Sequence, residues 1–123
     1  SAAHGVRIRA EPFHVDGGAA AYGCNHLFGY SITIDNLGPE PVQLLWRRWL
    51  IVDDLGRQRE VTGAGVVGEQ PLLPPGGSFT YQSACPLETA KGSMEGAFTF
   101  QRPDESLFEV PIDRFTFAAP PAD

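Results

Sequence analysis

The chain has 123 residues, a common size for one domain, and its share of apolar residues, 42%, is that of a folded globular protein. Its net charge is -6 and it contains no basic run. We therefore expect it to bind neither nucleic acid nor a membrane surface, since both need clustered Lys and Arg. No apolar run approaches the roughly 20 residues that cross a bilayer.

Glycine and proline are frequent, at 14 and 11 residues, which favours short strands joined by turns over long helices. Alternating apolar and polar side chains predict a first strand over residues 6–10, and we expect Glu11-Pro12 to interrupt it. Residues 16–26 are rich in Gly and Ala and predict a flexible loop. The clearest alternation, over residues 28–34, predicts the next strand.

Residues 42–55 fit two patterns at once, because their apolar positions match one stripe of a helix as well as they match a strand. The β-branched residues and the flanking Pro, Asp and Gly favour a strand. One face of that strand would carry Leu45, Arg47, Trp49, Ile51 and Asp53, and the other Leu44, Trp46, Arg48, Leu50 and Val52. Since both faces are apolar, we expect a central strand with Trp49 in the core and each guanidinium stacked or paired at the sheet margin.

The second half of the chain predicts further short strands. Phe79 and Tyr81 alternate with polar residues, whereas residues 87–96 predict a long connection. The last phenylalanine-rich segments predict two or three strands, one of which must lie at an edge or turn outward at Pro111. Residues 118–123 predict a frayed tail. With seven or eight short strands, the chain is predicted to be all-β, a single domain over residues 1–123 built as a two-sheet antiparallel sandwich.

A GxGxxG spacing, Gly63-Ala64-Gly65-Val66-Val67-Gly68, is the one pattern that suggests chemistry. In a dinucleotide-binding fold these glycines precede a helix whose N-terminus holds the pyrophosphate. Here prolines follow too soon for a useful helix, so we do not expect that fold. Two interpretations stay open. Either the glycines serve positive φ angles or close backbone contact, with Val66 and Val67 packed inward, or successive N–H groups of the loop form a nest for phosphate or pyrophosphate.

No group of residues predicts a catalytic site, a metal site or a cofactor. His4, His14 and His26 lack the spacing of metal ligands on one helix or hairpin, and we expect them at the surface. The acidic pairs 53–54 and 104–105 are expected to form turns.

The two cysteines, Cys24 and Cys85, are too few for a disulfide framework, and we expect reduced thiols in a cytoplasmic protein, with their mutual distance left open. Neither Cys85 nor Ser83 has a base beside it in the sequence, so we expect no enzyme activity.

The order of these motifs resembles the ApaG domain family, and the resemblance covers nearly the whole chain. The residues that carry it are 30–36, 42–45 with Arg47 and Trp49, 60–61, 63–71, 81–83, 92–98, and Phe108, Val110, Ile112 and Phe115. The resemblance implies a sandwich like that of fibronectin type III or immunoglobulin domains, in which residues 42–53 form a strand.

The resemblance also implies a class of function. ApaG domains occur as small bacterial proteins associated with cobalt tolerance and magnesium efflux, and within F-box and polymerase-delta-interacting proteins that recognise partners. No enzymatic mechanism is established for the family, and a suggested pyrophosphate site corresponds to Gly63, Gly65 and Gly68 here. We expect a non-catalytic module that binds another protein, as a monomer or weak homodimer. The alternative is small-anion or nucleotide-pyrophosphate binding, with or without catalysis, at residues 63–68.

Several positions depart from the family pattern. Trp46 and Arg48 stand where a small or polar residue and a His are more common, Glu105 replaces a turn Gly and Asp113 replaces a Pro. The last two leave the turn type of the final hairpin open. If Trp46 faces solvent, it marks a partner surface together with Arg48, because a large exposed aromatic side chain indicates an interaction site. If Trp46 covers the sheet edge, it is ordinary packing.

Overall fold

The structure is a computed structural model that describes residues 2–15, 19 and 23–120. The strands in that part of the chain are β1 (Ala2–Ala3), β2 (Val6–His14), β3 (His26–Asn36), β4 (Val42–Asp53), β5 (Gln58–Ala64), β6 (Leu72–Leu73), β7 (Ser78–Leu87), β8 (Lys91–Gln101) and β9 (Leu107–Ala118). Within these residues there is no helix long and apolar enough to span a membrane.

The strands form two antiparallel sheets. The four-stranded sheet has the order β1-β2-β3-β7, and the five-stranded sheet has the order β5-β4-β8-β9 with β6 paired to the start of β4. Because β2 approaches β9 across the two layers, β7 and β5 lie at the opposite margin. The predicted all-β, two-sheet antiparallel sandwich is confirmed.

The core lies between the sheets, where alternate side chains of each strand meet. Trp49 is only 2% exposed, and its ring centroid lies 5.5 Å from that of Tyr30 and 5.9 Å from those of Phe98 and Phe115. Edge-on aromatic pairs at such distances add to the gain from burial. The predicted core position of Trp49 is confirmed. Other fully buried side chains include Phe28, Ile32, Ile34, Leu44, Met94, Phe100 and Val110.

One face assignment in β4 is wrong. The register of β4 against β8 shifts between Leu44 and Trp46, so Leu45 is the extra residue of a β-bulge. Leu44 is therefore buried on the same side as Trp49. The prediction placed Leu44 on the face of Trp46. Beyond the bulge the predicted faces hold, with Trp49 inside and Trp46 and Arg48 outside.

Prolines lie inside strands where one edge of the strand is open. The predicted interruption at Glu11-Pro12 is wrong, because β2 continues through Pro12. Pro12 pairs with Tyr30 on one side, and the two-residue strand β1 does not reach it on the other. A nitrogen that faces an open edge needs no N–H. Pro111 lies in β9 at the edge of the five-stranded sheet, as predicted.

The predicted long connection over residues 87–96 is also wrong. β7 extends to Leu87, β8 begins at Lys91, and Met94 lies in the core. The glycines that suggested a connection serve close packing of strands, since a Cβ on Gly96 would collide with the carbonyl oxygen of Arg48.

The remaining loop predictions fall partly outside the described residues. Of the flexible loop predicted over residues 16–26, residues 16–18 and 20–22 are not described, and His26 already belongs to β3. Of the tail predicted over residues 118–123, Ala118 is the last residue of β9, and residues 121–123 are not described.

Candidate functional site

The glycine loop is a tight two-residue turn and not the start of a helix. Val66 and Glu69 exchange two backbone hydrogen bonds, each 2.8 Å long. The residues between them, Val67 and Gly68, both have positive φ, at 44° and 80°. Positive φ at both central positions is the mark of a type I′ turn. No dinucleotide-binding helix follows this motif, as the sequence predicts.

Each glycine of the motif lies where a side chain would be strained or would meet a neighbouring group. Gly65 has φ 63°, and a Cβ there would collide with the carbonyl oxygen of Glu69. Gly68 occupies the second positive-φ position of the turn. Gly63 has the guanidinium of Arg47 against it, so that a Cβ would lie 2.9 Å from three guanidinium atoms. The prediction was a stacked or paired guanidinium, and the Arg47 guanidinium lies over this glycine of the neighbouring strand.

The valines of the turn are not both inside. Val66 is fully buried, as predicted, but Val67 is 54% exposed. The prediction for Val67 is wrong because residues at the tip of a two-residue turn project away from the sheet.

The turn offers fewer free donors than the anion interpretation assumed. The N–H of Gly65 donates to the carbonyl of Leu45 at 2.7 Å, and the N–H of Val66 to that of Glu69. Among the described residues, the N–H groups of Val67 and Gly68 have no acceptor. Anion binding at residues 63–68 stays a prediction, and these two adjacent N–H groups would have to carry it.

The side chain of Arg47 binds the backbone at the start of the glycine loop. Its Nη1 donates to the carbonyl oxygens of Ala64 at 2.9 Å and Gly65 at 3.0 Å. The core contains two tyrosines, Tyr30 and Tyr81, and burial is the main cause that raises the pKa values of their phenols. Burial therefore disfavours the charged phenolate form of both side chains.

The outer side of the five-stranded sheet carries the candidate partner surface. Trp46 is 51% exposed and lies on β4, one strand in from the edge. Its cross-strand neighbours are Ala64 and Thr99, which are too small to cover an indole ring. Leu72, 64% exposed, is paired with Gln43 and lies on the same side. Trp46 thus faces solvent on the same side of the sheet as the exposed Leu72, and solvent exposure of Trp46 is the condition under which the sequence predicts a partner surface.

Charged groups stand beside the indole ring. Arg48 is exposed two positions further along β4, and the next outward position, Leu50, lies between Glu60 and Glu95 on the neighbouring strands. Arg48, Leu50, Glu60 and Glu95 line a shallow depression of about 250 Å³. We call Trp46, Arg48, Leu50, Glu60, Leu72 and Glu95 the outer-face surface. Sequence reasoning found Trp46 and Arg48, and the strand register adds the rest.

The opposite sheet carries a polar cluster around Asp35. Its carboxylate accepts hydrogen bonds from Arg7 and Arg9, each at 3.1 Å, and from Ser78 at 2.9 Å. Burial alone would raise the pKa of Asp35, but the hydrogen bonds from Ser78 and Arg7 and the two positive charges outweigh it and lower the pKa. The cluster ties β2, β3 and β7 together, and the carboxylate of Asp35 has its partners within the fold.

Metal ligands do not converge in the described part of the chain: no group of three or more His, Cys, Asp and Glu side chains comes together there. His14 and His26 both lie against the ring of Phe28, at centroid distances of 5.5 and 6.4 Å. Both cysteines are free; Cys85 is buried, and burial raises the pKa of its thiol to about 11. A thiol with that pKa is a poor nucleophile at neutral pH.

Two antiparallel sheets packed face to face define a β-sandwich domain. Within this class, the family model described as the ApaG domain matches residues 19–102. The chain belongs to the ApaG domain family, and the predicted resemblance is confirmed.

Its relatives match over nearly their whole length. Protein ApaG of Brucella anthropi is 45% identical over 94% of this chain and 89% of its own. Protein ApaG of Pectobacterium atrosepticum is 43% identical over 94% of this chain and 92% of its own. The crystal structure of the putative ApaA protein from Bordetella pertussis matches with a TM-score of 0.88 and 38% identity, covering 95% of each chain.

Proposed function

We propose that this ApaG domain is a non-catalytic binding module that holds another protein against its outer-face surface, with Trp46 as the anchor. The observation that carries the proposal is the half-exposed indole ring on the outer side of the sheet, with a second exposed apolar side chain, Leu72, on the same side. Aromatic anchors of this kind supply much of the energy at protein interfaces.

The charges of the surface suggest what the partner presents. Glu60 and Glu95 stand on either side of Leu50, and a cationic side chain of a partner would fit between them. An apolar side chain would cover Trp46. Such pairs at the rim of an interface favour recognition and fast association more than raw affinity.

An affinity experiment with matched variants tests this proposal. The immobilised domain captures proteins from the cells it comes from, and recovery is compared by quantitative mass spectrometry for wild type, Trp46→Ala and Leu55→Ala. Leu55 is the control because it is 72% exposed but lies in the turn after β4. We expect at least one protein to be retained by wild type and Leu55→Ala and lost with Trp46→Ala. The proposal fails if Trp46→Ala leaves every captured protein unchanged.

Within this proposal, the cobalt tolerance and magnesium efflux of bacterial relatives would arise through a partner protein, and the domain would work in the cytoplasm. A metal-binding role makes a different prediction: cobalt or magnesium would remain with the protein after dialysis and would be found by elemental analysis.

Anion binding is the alternative, and the unpaired N–H groups of Val67 and Gly68 are the observation that favours it. Calorimetry with pyrophosphate, ATP and diadenosine polyphosphates tests it directly. The alternative predicts heat that Gly65→Val diminishes, since that change distorts the turn; no heat at millimolar ligand removes it.

A further inference from the structure

The free edge of β7 differs from the other strand edges of the described sandwich. β7 lies at the edge of the four-stranded sheet, and no described strand pairs with its other side. It is ten residues long, contains no charged residue and keeps one register against β3 throughout, and its one proline, Pro86, lies at the far end as the last residue but one. Natural proteins usually protect such an edge with charge, proline, a bulge or short length.

The other edges have these protections. β9 has Pro111 and a register shift beside Asp113 and Arg114. β5 has seven residues and includes Arg59 and Glu60. The open part of β2 contains Glu11 and Pro12, and β1 has only two residues.

A proline shows which backbone groups of β7 point outward. Pro86 is paired with Leu27 of β3 and has no N–H to donate, so this pair is not hydrogen-bonded. Pairs alternate between hydrogen-bonded and non-hydrogen-bonded in an antiparallel ladder. Thr80, Gln82 and Ala84 therefore direct their N–H and C=O groups to the free edge.

A second proline independently checks which β7 residues point their backbone groups outward. In the same alternation Tyr30 bonds to Ser83 of β7, so its backbone groups point away from β2. The residue of β2 opposite Tyr30 is Pro12, which has no N–H to offer. Both prolines thus agree on the groups that face outward from β7.

We propose that β7 pairs antiparallel with β7 of a second copy of this chain, about a two-fold axis beside Gln82. Gln82 then lies opposite itself and Thr80 opposite Ala84, which gives about six new backbone hydrogen bonds. The outward position without an N–H, Pro86, falls at the end of the ladder opposite Ser78.

Pairing with a second copy is favoured because the outward N–H and C=O groups of one β7 match those of another β7 in the antiparallel direction. The edge is uncharged, so two chains of net charge -6 can approach there without facing like charges. Across the sheet, the neighbours of Gln82 and Thr80 on β3 are Ser31 and Thr33, which are also uncharged. One pair of strands buries less than a standard interface, so we expect a weak dimer that depends on concentration.

The experiment combines sedimentation equilibrium with residue-resolved hydrogen exchange at low and high protein concentration. The average mass of wild type should rise towards twice that of the chain. The amides of Thr80, Gln82 and Ala84 should exchange more slowly as it does. A wild type that stays monomeric, or that associates without protecting these amides, overturns the proposal.

Variants at one position test the axis. Gln82→Pro removes the central N–H and should abolish the dimer, while an outward-facing nitrogen lets the monomer keep its fold. Gln82→Lys places like charges opposite each other and should weaken the dimer about fivefold, and mixing it with Gln82→Glu should restore association. Thr62→Lys, on the outward side of β5, is the control and should associate as wild type does.

The same variants define the results that would contradict pairing through β7. A dimer that survives both Gln82→Pro and Gln82→Lys does not use β7. Should Gln82→Pro unfold, Gln82→Lys and its mixture with Gln82→Glu still decide the matter, and unchanged association in both overturns the proposal.

Discussion

Alanine substitutions at the three glycines of the turn should differ in cost, because each glycine has a different role. Gly65→Ala places a Cβ on a residue with φ 63°, which costs about 1–2 kcal/mol. It also displaces the carbonyl of Glu69, which accepts the hydrogen bond from Val66, at a further cost of about 1–2 kcal/mol. We expect Gly65→Ala to lower the free energy of unfolding by about 2–4 kcal/mol.

The other two changes should cost less. Gly68 has φ 80° but open space where a Cβ would stand, so Gly68→Ala should cost about 1–2 kcal/mol. Gly63→Ala meets only the end of the flexible Arg47 side chain. The guanidinium can move aside, and the reduced freedom of the unfolded chain offsets part of the loss, so we expect a change below about 1 kcal/mol.

Urea unfolding of the three variants, followed by far-UV circular dichroism, measures these differences. The order of destabilisation should be Gly65→Ala, then Gly68→Ala, then Gly63→Ala. Equal costs at the three positions, or the largest cost at Gly63, would refute the assignment of a type I′ turn with one close backbone contact.

The remaining predictions concern single positions. Glu105 has φ 70°, so Glu105→Gly should stabilise the chain by about 0.5–1 kcal/mol in thermal unfolding, while Glu105→Ala should not; a stabilising Glu105→Ala would assign the effect to charge. Trp46→Phe leaves the buried Trp49 as the fluorophore, and acrylamide should barely quench it. Trp49→Phe leaves the exposed Trp46, which acrylamide should quench readily; similar quenching in the two variants would contradict the exposure of Trp46. The lowered pKa of Asp35 stabilises the fold above the ordinary Asp pKa, and this stability is lost as pH falls below about 4. Asp35→Asn should therefore be less stable at pH 7 and lose less stability on acidification, and parallel pH profiles would contradict this.

The architecture could be predicted because it follows from local chemistry. Alternation over residues 28–34 and the frequent Gly and Pro indicate short antiparallel strands, and the prolines after Gly68 rule out a dinucleotide-binding helix. Trp49 could be placed in the core because its strand is apolar on both sides.

Features that depend on pairing could not be predicted. The bulge at Leu45 reverses the alternation, and nothing in the sequence marks the extra residue. The glycines of β8 indicated a loop, but Gly96 is there because the neighbouring strand passes too close for a Cβ.

The outer-face surface was also predictable only in part. Trp46 and Arg48 were recognisable from their residue types, whereas Glu60, Glu95 and Leu72 join them only through the registers of β5, β8 and β6. Strand register is a long-range property, set when the chain closes distant contacts.

Photo-crosslinking tests the proposed binding role most directly. Benzoylphenylalanine is placed at position 46 or, as the control, at position 55, and the cells that contain the domain are irradiated. The account predicts a discrete adduct with another protein from position 46 and none from position 55. Irradiation that yields no adduct at position 46 beyond that at position 55 would contradict a partner surface centred on Trp46.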